Sequence, residues 1–411
     1  MKITGCEILH CDAGWRNFSF LKLQTDQGLT GISEYNESYG SKGLTAVIEA
    51  LVESIEGDDP RRHERVSQKL YATTRQAHGG LNQQAIAAIE NAMLNVKAKS
   101  LGVPVYDLLG GAVRTELPLY WSHCGTYRMI EANAKAMGRK VFTGLDDVIE
   151  LGAEAKERGF AALKTNIFRF GETPPLHFPG FGRKDGWPEL NADKSLIDGL
   201  RAQLVAFREG AGPDMGILLD LNFNFKTEGY LQVCRGLDDL GLFWFEIDLY
   251  DPESLRHIRN SLQTPIASCE SLFGLRGFKP FLDNYSMDVA IVDVPWNGIW
   301  TSLKIAAMCE AHEINCAPHN FYGHISTLMS AHFCAAIPNF RIMEIDIDDV
   351  PWKDEIVTNP PVIENGVLQV PTGPGWGSEL DEKVIAAHPP KSLVRHSREG
   401  GNDNRNTDDC S

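Results

Sequence analysis

Three acidic residues, Asp220, Glu246 and Glu270, each close a short apolar run, at intervals of 26 and 24 residues. The runs are Ile217-Leu218-Leu219, Leu242-Phe243-Trp244-Phe245 and Pro265-Ile266-Ala267-Ser268-Cys269. They have strand length and no polar alternation, as expected of a parallel sheet buried on both faces. One such acid alone reads better as a cap for the next helix, since acids are favoured at helix N-termini. Three carboxylates in one dry pocket cannot all stay ionised without a cation. All-oxygen donors suit a hard divalent ion such as Mg2+.

Other polar residues close neighbouring runs. Lys164 and Asn166, two apart in Leu163-Lys164-Thr165-Asn166, share a strand face, as do Asp220 and Asn222. A lysine in an apolar strand needs a partner, and a metal-bound carboxylate would be one. Asp293 closes Val289-Ala290-Ile291-Val292, and His319 follows Cys316-Ala317-Pro318. On adjacent strands, the acid fixes one imidazole nitrogen and raises the basicity of the ring, leaving the other nitrogen as a general base. Glu344, at the end of the last run, is expected to face the same pocket. His312 and His332 lie on helix-like segments and read as structural or exposed.

These residues need a scaffold that gathers strand ends, and the sequence offers one. Eight strand-like runs alternate with helix-compatible segments: 117–120, 161–167, 216–221, 242–246, 265–269, 289–294, 314–317 and 341–345. The pattern predicts an α/β barrel in which the C-terminal ends of the strands converge on one face. Ahead of it, residues 1–36 alternate as an antiparallel meander, and its 11–17 loop carries Trp15 and Arg16. Leu44, Val47, Ile48, Leu51, Val52 and Ile55 keep helical spacing, as do Ile86, Ile89, Met93 and Val96. The predicted organisation is an α+β domain over 1–115, the barrel over 116–352, and a C-terminal return over 353–388. The polar tail over 389–411 is predicted to be disordered. The Gly- and Pro-rich segment 169–190, with His177, interrupts the alternation as a lid, a specificity loop or a plain surface excursion.

Composition narrows the class. The 411 residues are 43% hydrophobic and 23% charged, with a formal charge of -16. Without a Lys/Arg run, that charge argues against nucleic acid and anionic membrane partners. The nine cysteines are scattered without paired spacing and read as reduced thiols of a cytoplasmic protein. No h-region follows Met1 and no apolar stretch approaches 18 residues, so neither secretion nor a membrane span is expected.

In this order, the motifs resemble the mandelate racemase branch of the enolase superfamily. Besides the carboxylates, the dyad and Glu344, the resemblance rests on Gly28-Leu29-Thr30-Gly31 to Glu34. It also rests on Gly102-Val103-Pro104-Val105-Tyr106 to Gly110-Gly111 and on Pro374-Gly375-Trp376-Gly377. It implies a modified (β/α)7β TIM-type barrel with an α+β capping domain, one Mg2+ on Asp220, Glu246 and Glu270, and a homo-oligomer. It also implies removal of the proton α to a substrate carboxylate, with the metal stabilising the enediolate.

Two departures qualify the resemblance. Where many members carry Lys-x-Lys, this chain has Lys164-Thr165-Asn166, and an amide cannot take a proton. Galactonate dehydratases of the family share Lys-x-Asn but carry a histidine where Asn222 stands, so the general acid is unassigned. Glu246 is followed by Ile247-Asp248 instead of Glu-Pro. Asp248 shares its strand face and competes as a ligand, although alignment favours Glu246.

The expected activity is that of a Mg2+-dependent lyase, a sugar acid dehydratase. His319, held by Asp293, takes the C2 proton, a C3 hydroxyl leaves, and a 2-keto-3-deoxy acid results. Lys164 holds the substrate carboxylate; Asn166, Asn222, Arg16 and Trp15 are expected to bind the rest of the substrate. Epimerisation or cycloisomerisation is the alternative and would need a second acid or base, from His177 or Tyr322. A non-catalytic binding barrel is the third reading.

Overall fold

The computed structural model describes residues 1–170, 176–178 and 192–391. Most of the 169–190 segment, the His177 side chain and nearly all of the expected tail lie outside the described residues.

The chain opens with an antiparallel meander, Ile3–Asp12, Asn17–Thr25 and Thr30–Tyr35. Helices Leu44–Glu53 and Gly80–Leu101 pack on it, and helix His63–Thr74 packs on Gly80–Leu101. Ile48, Leu51, Val52, Ile86, Ile89 and Met93, the residues with helical spacing, meet Leu21 and Leu23 in one core. The helix His63–Thr74 had no counterpart in the sequence reading, because it buries only His63, Val66, Ser67 and Leu70 and has too thin a stripe for periodicity to show.

Among the described residues, eight parallel strands close the barrel: Glu116–Trp121, Ala162–Thr165, Gly216–Asp220, Trp244–Glu246, Ile266–Ser268, Val289–Asp293, Asn315–His319 and Met343–Ile345. Each expected run supplies one of them. The circle closes where Met343–Ile345 pairs with the first strand and Cys316 bridges to Phe340. After the last strand the chain turns back, and Val367–Gln369 pairs antiparallel with the start of the first strand. The Trp376 indole, fully buried, donates to the Ile32 carbonyl at 2.7 Å and ties this return to the meander.

The capping domain docks by capping barrel helices. Glu34 accepts from the Gly323 and Ser326 amides, at 2.6 and 2.9 Å, at the start of helix His324–Ala336. Glu90 accepts from the Trp300 and Thr301 amides, at 3.1 and 3.2 Å, and Asn91 from the Ile299 amide at 2.8 Å, at the start of helix Ile299–Ala311. Free amides and the helix dipole favour an acid there. Gly298 and Gly323 admit these side chains: a Cβ on either would overlap the Glu90 or Glu34 carboxylate.

Burial dominates the helix amides at both acids and lifts each from 4.5 to about 7. A carboxyl group raised on folding contributes stability that is complete below 4.5 and lost as pH rises through 7. Each group is therefore expected to contribute on the order of 3 kcal/mol of this pH-dependent stability. Urea midpoints of wild type and the Glu34→Gln/Glu90→Gln double variant, compared at pH 5 and pH 7.5, test it: the variant should gain on wild type as pH rises.

Candidate active site

Strand alternation builds the site. Ala162, Leu218, Trp244, Ile291, Ala317 and Ile342 belong to a cluster inside the barrel. Two residues further along, on the same face, stand Lys164, Asp220, Glu246, Asp293, His319 and Glu344. Glu270 breaks the alternation. Cys269 adopts φ 92°, rare for a residue with a Cβ, and this turn presents Glu270 instead of its neighbour to the interior.

Lys164 is the hub. Its ammonium lies 2.7 Å from Glu246, 2.8 Å from Glu344 and 3.6 Å from Asp220. Burial alone would depress its pKa; Glu246, Glu344, Tyr120 and Asp220 override that and hold it well above the usual lysine value. Glu344 also accepts from the Ser122 hydroxyl at 2.5 Å and the Asn320 amide at 2.6 Å. Despite burial, Lys164 and His319 keep its pKa low, whereas burial lifts Glu246 and Asp220 against the pull of the same lysine.

Asp293 and His319, paired in register, form the expected dyad: Nδ1 of His319 lies 2.6 Å from the Asp293 carboxylate. The same oxygen accepts from the Tyr322 hydroxyl at 2.6 Å, and the other from the Trp296 amide at 2.7 Å. This carboxylate fixes the proton on Nδ1 and leaves Nε2 toward Glu270, 3.5 Å away. Burial opposes protonation of the ring, but Glu270 and Asp293 outweigh it and lift His319 to about 10.

A cavity of about 280 Å³ opens above these groups, lined by Lys164, Asp220, Asn222, Glu270 and His319. Phe223, Tyr250, Phe273, Trp296 and Phe321 give it aromatic walls, and Asn36, Tyr39 and Gln84 reach in from the capping domain. Asn166 is not on the lining; it donates to Asn222 at 3.2 Å and accepts from Thr126 at 2.8 Å.

Arg16 and Trp15 also stand off the cavity, contrary to their expected role. Arg16 is buried in an ion pair with Asp349 at 2.7 Å and donates to the Phe321 carbonyl, so it braces the loop behind the site. Trp15 rests on Tyr127 with ring centroids 4.5 Å apart. Tyr322, bound to Asp293, likewise lies off the lining. His332 is buried, as read, with Nδ1 accepting from the Tyr106 amide at 3.2 Å.

The sequence reading missed His123, which lines the cavity with a left-handed backbone, φ 47°. Burial, then Lys164, push its ring down to about 3, so it is neutral. Its place just past the first strand's end was the available signal, but the expected strand stopped at Tyr120.

Among the described residues, no three His, Cys, Asp or Glu side chains stand close enough together to hold a metal ion as placed. The donor set nevertheless fits a hard cation. Asp248, 2% exposed, is bonded by no N–H group and faces the Glu270 carboxyl group. Its surroundings, burial first and then Glu270, Asp220 and Glu246, disfavour its charge strongly. Crowded carboxyl groups that cannot all ionise by themselves are oxygen donors of the kind Mg2+ takes.

A capping domain thus sits over a parallel barrel that carries buried acids and a His-Asp pair at its strand ends. The chain belongs to the mandelate racemase / muconate lactonizing enzyme family: the family's N-terminal domain matches residues 12–110 and the enolase C-terminal domain-like model matches residues 147–384. It is 51% identical to a Burkholderia xenovorans LB400 protein provisionally named an L-alanine-DL-glutamate epimerase, solved with magnesium and fumarate. That match has TM-score 0.93 and covers 97% of this chain and 99% of that one. It is 28% identical to the D-xylonate dehydratase of Haloferax volcanii, over 90% of this chain and 84% of that protein. It is 26% identical to the D-mannonate dehydratase of Novosphingobium aromaticivorans, over 95% and 96%. Among the described residues no helix is long and apolar enough to cross a membrane, and eight cysteines are free.

Proposed function

We propose that the protein is a Mg2+-dependent dehydratase of a sugar acid. The observation that carries this reading is the one-sided proton chemistry of the cavity. His319 turns Nε2 toward Glu270 at the cavity, while Asn166, where a second base would stand, is an amide held by Asn222 and Thr126.

Asp220 and Glu270, with either Glu246 or Asp248, would hold the cation. When bound, it would polarise the substrate carboxylate and neutralise Glu270, whose charge otherwise keeps His319 protonated. Lys164, anchored by Glu246 and Glu344, offers a fixed positive charge at the cavity floor for that carboxylate. His319 takes the α proton on Nε2 while Asp293 holds Nδ1. Having taken it, the ring is an acid and returns the proton to the departing C3 hydroxyl. The aromatic walls suit the C–H faces of a polyol chain, and Asn222 and Asn36 offer amides to its hydroxyls. The dehydratases among the relatives support this substrate class.

Epimerisation is the second reading, favoured by the name of the 51% identical relative. Proton NMR in D2O with Mg2+ over pooled hexonic, pentonic and hexaric acids separates the two. Dehydration predicts loss of a C2 signal with new 3-deoxy methylene signals. Loss of the C2 signal by exchange, with no methylene signals, would replace it with epimerisation.

A further inference from the structure

We infer that His123 is a specificity-determining residue of the cavity: its Nε2 accepts a hydrogen bond from one substrate hydroxyl and takes no part in proton transfer. The inference rests on the proposed function, which places a polyhydroxy acid in this cavity.

The hydrogen bonds behind the ring fix its tautomer. The Ser122 hydroxyl donates its one hydrogen to Glu344, which Lys164 keeps ionised despite burial and which can only accept. Toward Nδ1 of His123, 3.0 Å away, the Ser122 oxygen can therefore only accept in turn. Asp346, 3.7 Å from the same nitrogen, is beyond hydrogen-bonding reach. Nδ1 thus carries the proton, and Nε2 carries a bare lone pair. Among the described residues no group bonds Nε2, and the side chain, 16% exposed, opens on the cavity.

Backbone and packing hold the ring at that spot. His123 lies at φ 47° in a turn where the Cys124 amide donates to the Lys164 carbonyl at 2.7 Å and the Thr126 amide to the His123 carbonyl at 2.8 Å. The ring stacks on Tyr127 with centroids 5.0 Å apart and meets Phe321 edge to face at 5.7 Å. His319 packs on the same Phe321 at 5.1 Å, so the two imidazoles border one stretch of cavity. Their partners assign them different roles. His319 has Asp293 on Nδ1 and can take a proton; His123 has only a hydroxyl there, and burial, then Lys164, keep it neutral.

A nitrogen that can only accept selects in a way that the amides of Asn222 and Asn36 do not. An amide turns either its oxygen or its NH2 to the substrate, whereas Nε2 bonds a hydroxyl and repels a carbonyl, ether or carboxylate oxygen at the same place. A substrate lacking that hydroxyl leaves the nitrogen desolvated and unbonded, which is how a site rejects a deoxy analogue.

The test uses the full-length Mg2+-loaded protein with isotope-labelled histidine rings, read by nitrogen NMR. The His123 signals are those missing from His123→Phe, or from His123→Gln if the first does not fold. They should show a neutral ring protonated on Nδ1. Adding the pooled hexonic and pentonic acids should shift the Nε2 signal toward that of a hydrogen-bonded acceptor, and succinate, which has no hydroxyl, should not. His123→Phe should raise KM for the acid in the pool that reacts by about 10- to 100-fold and leave kcat within about threefold, because the bond is held equally in ground and transition states. A ring protonated on Nε2, or an Nε2 signal that the acids do not move, overturns the inference. So does a fall in kcat at unchanged KM, which would put His123 in the proton transfer. Turnover to a 3-deoxy product without the shift overturns the inference alone. The shift without turnover supports it and sinks only the dehydratase reading.

Discussion

His319→Asn is expected to lower turnover by about 10²- to 10⁴-fold, the usual share of a positioned general base, while leaving the fold and cation binding in place. An asparagine has no nitrogen that can take a proton, so abstraction at the α carbon loses its acceptor. The fold should survive because Asp293 keeps two donors, the Tyr322 hydroxyl and the Trp296 amide, and is not left bare. C2-proton exchange in D2O checks the step itself, because it reads abstraction whether or not a hydroxyl then leaves. Exchange at the wild-type rate in the variant would remove His319 from the mechanism.

The barrel was legible because its strands are apolar on both faces and end in polar residues, two signals that depend on sequence alone. The same alternation that makes Leu218 and Asp220 share a face made the inward row readable, from Lys164 round to Glu344. The capping domain was half legible: helices with wide apolar stripes declared themselves, and His63–Thr74 did not. What stayed hidden was tertiary. The 11–17 loop is polar and exposed in pattern, yet Asp349, distant in sequence, draws Arg16 into an ion pair away from the cavity. His123 lies past an apolar run, where only the closed barrel shows that it enters the pocket. The difference between Glu246 and Asp248 lies in which donors reach them, and spacing carries no information about that.

Lys164→Met should destabilise the protein by about 3–5 kcal/mol at neutral pH, the cost of removing one partner from a buried ion cluster. Methionine nearly fills the lysine's volume, so the loss is electrostatic and not a cavity effect. In wild type one ammonium serves Glu246, Glu344 and Asp220, none more than 5% exposed. Without it, Glu344 keeps Ser122 and the Asn320 amide, and Glu246 keeps only the Trp244 indole. Glu246 is therefore the residue most exposed to the loss, and neutralising it should restore part of the stability. Urea denaturation of Lys164→Met beside Lys164→Met/Glu246→Gln measures this, with the double variant expected to be the more stable. If Lys164→Met alone costs under about 1 kcal/mol, the cluster is not held by the lysine. Equal instability of the two variants would mean that Glu246 is not the carboxylate left unpaired.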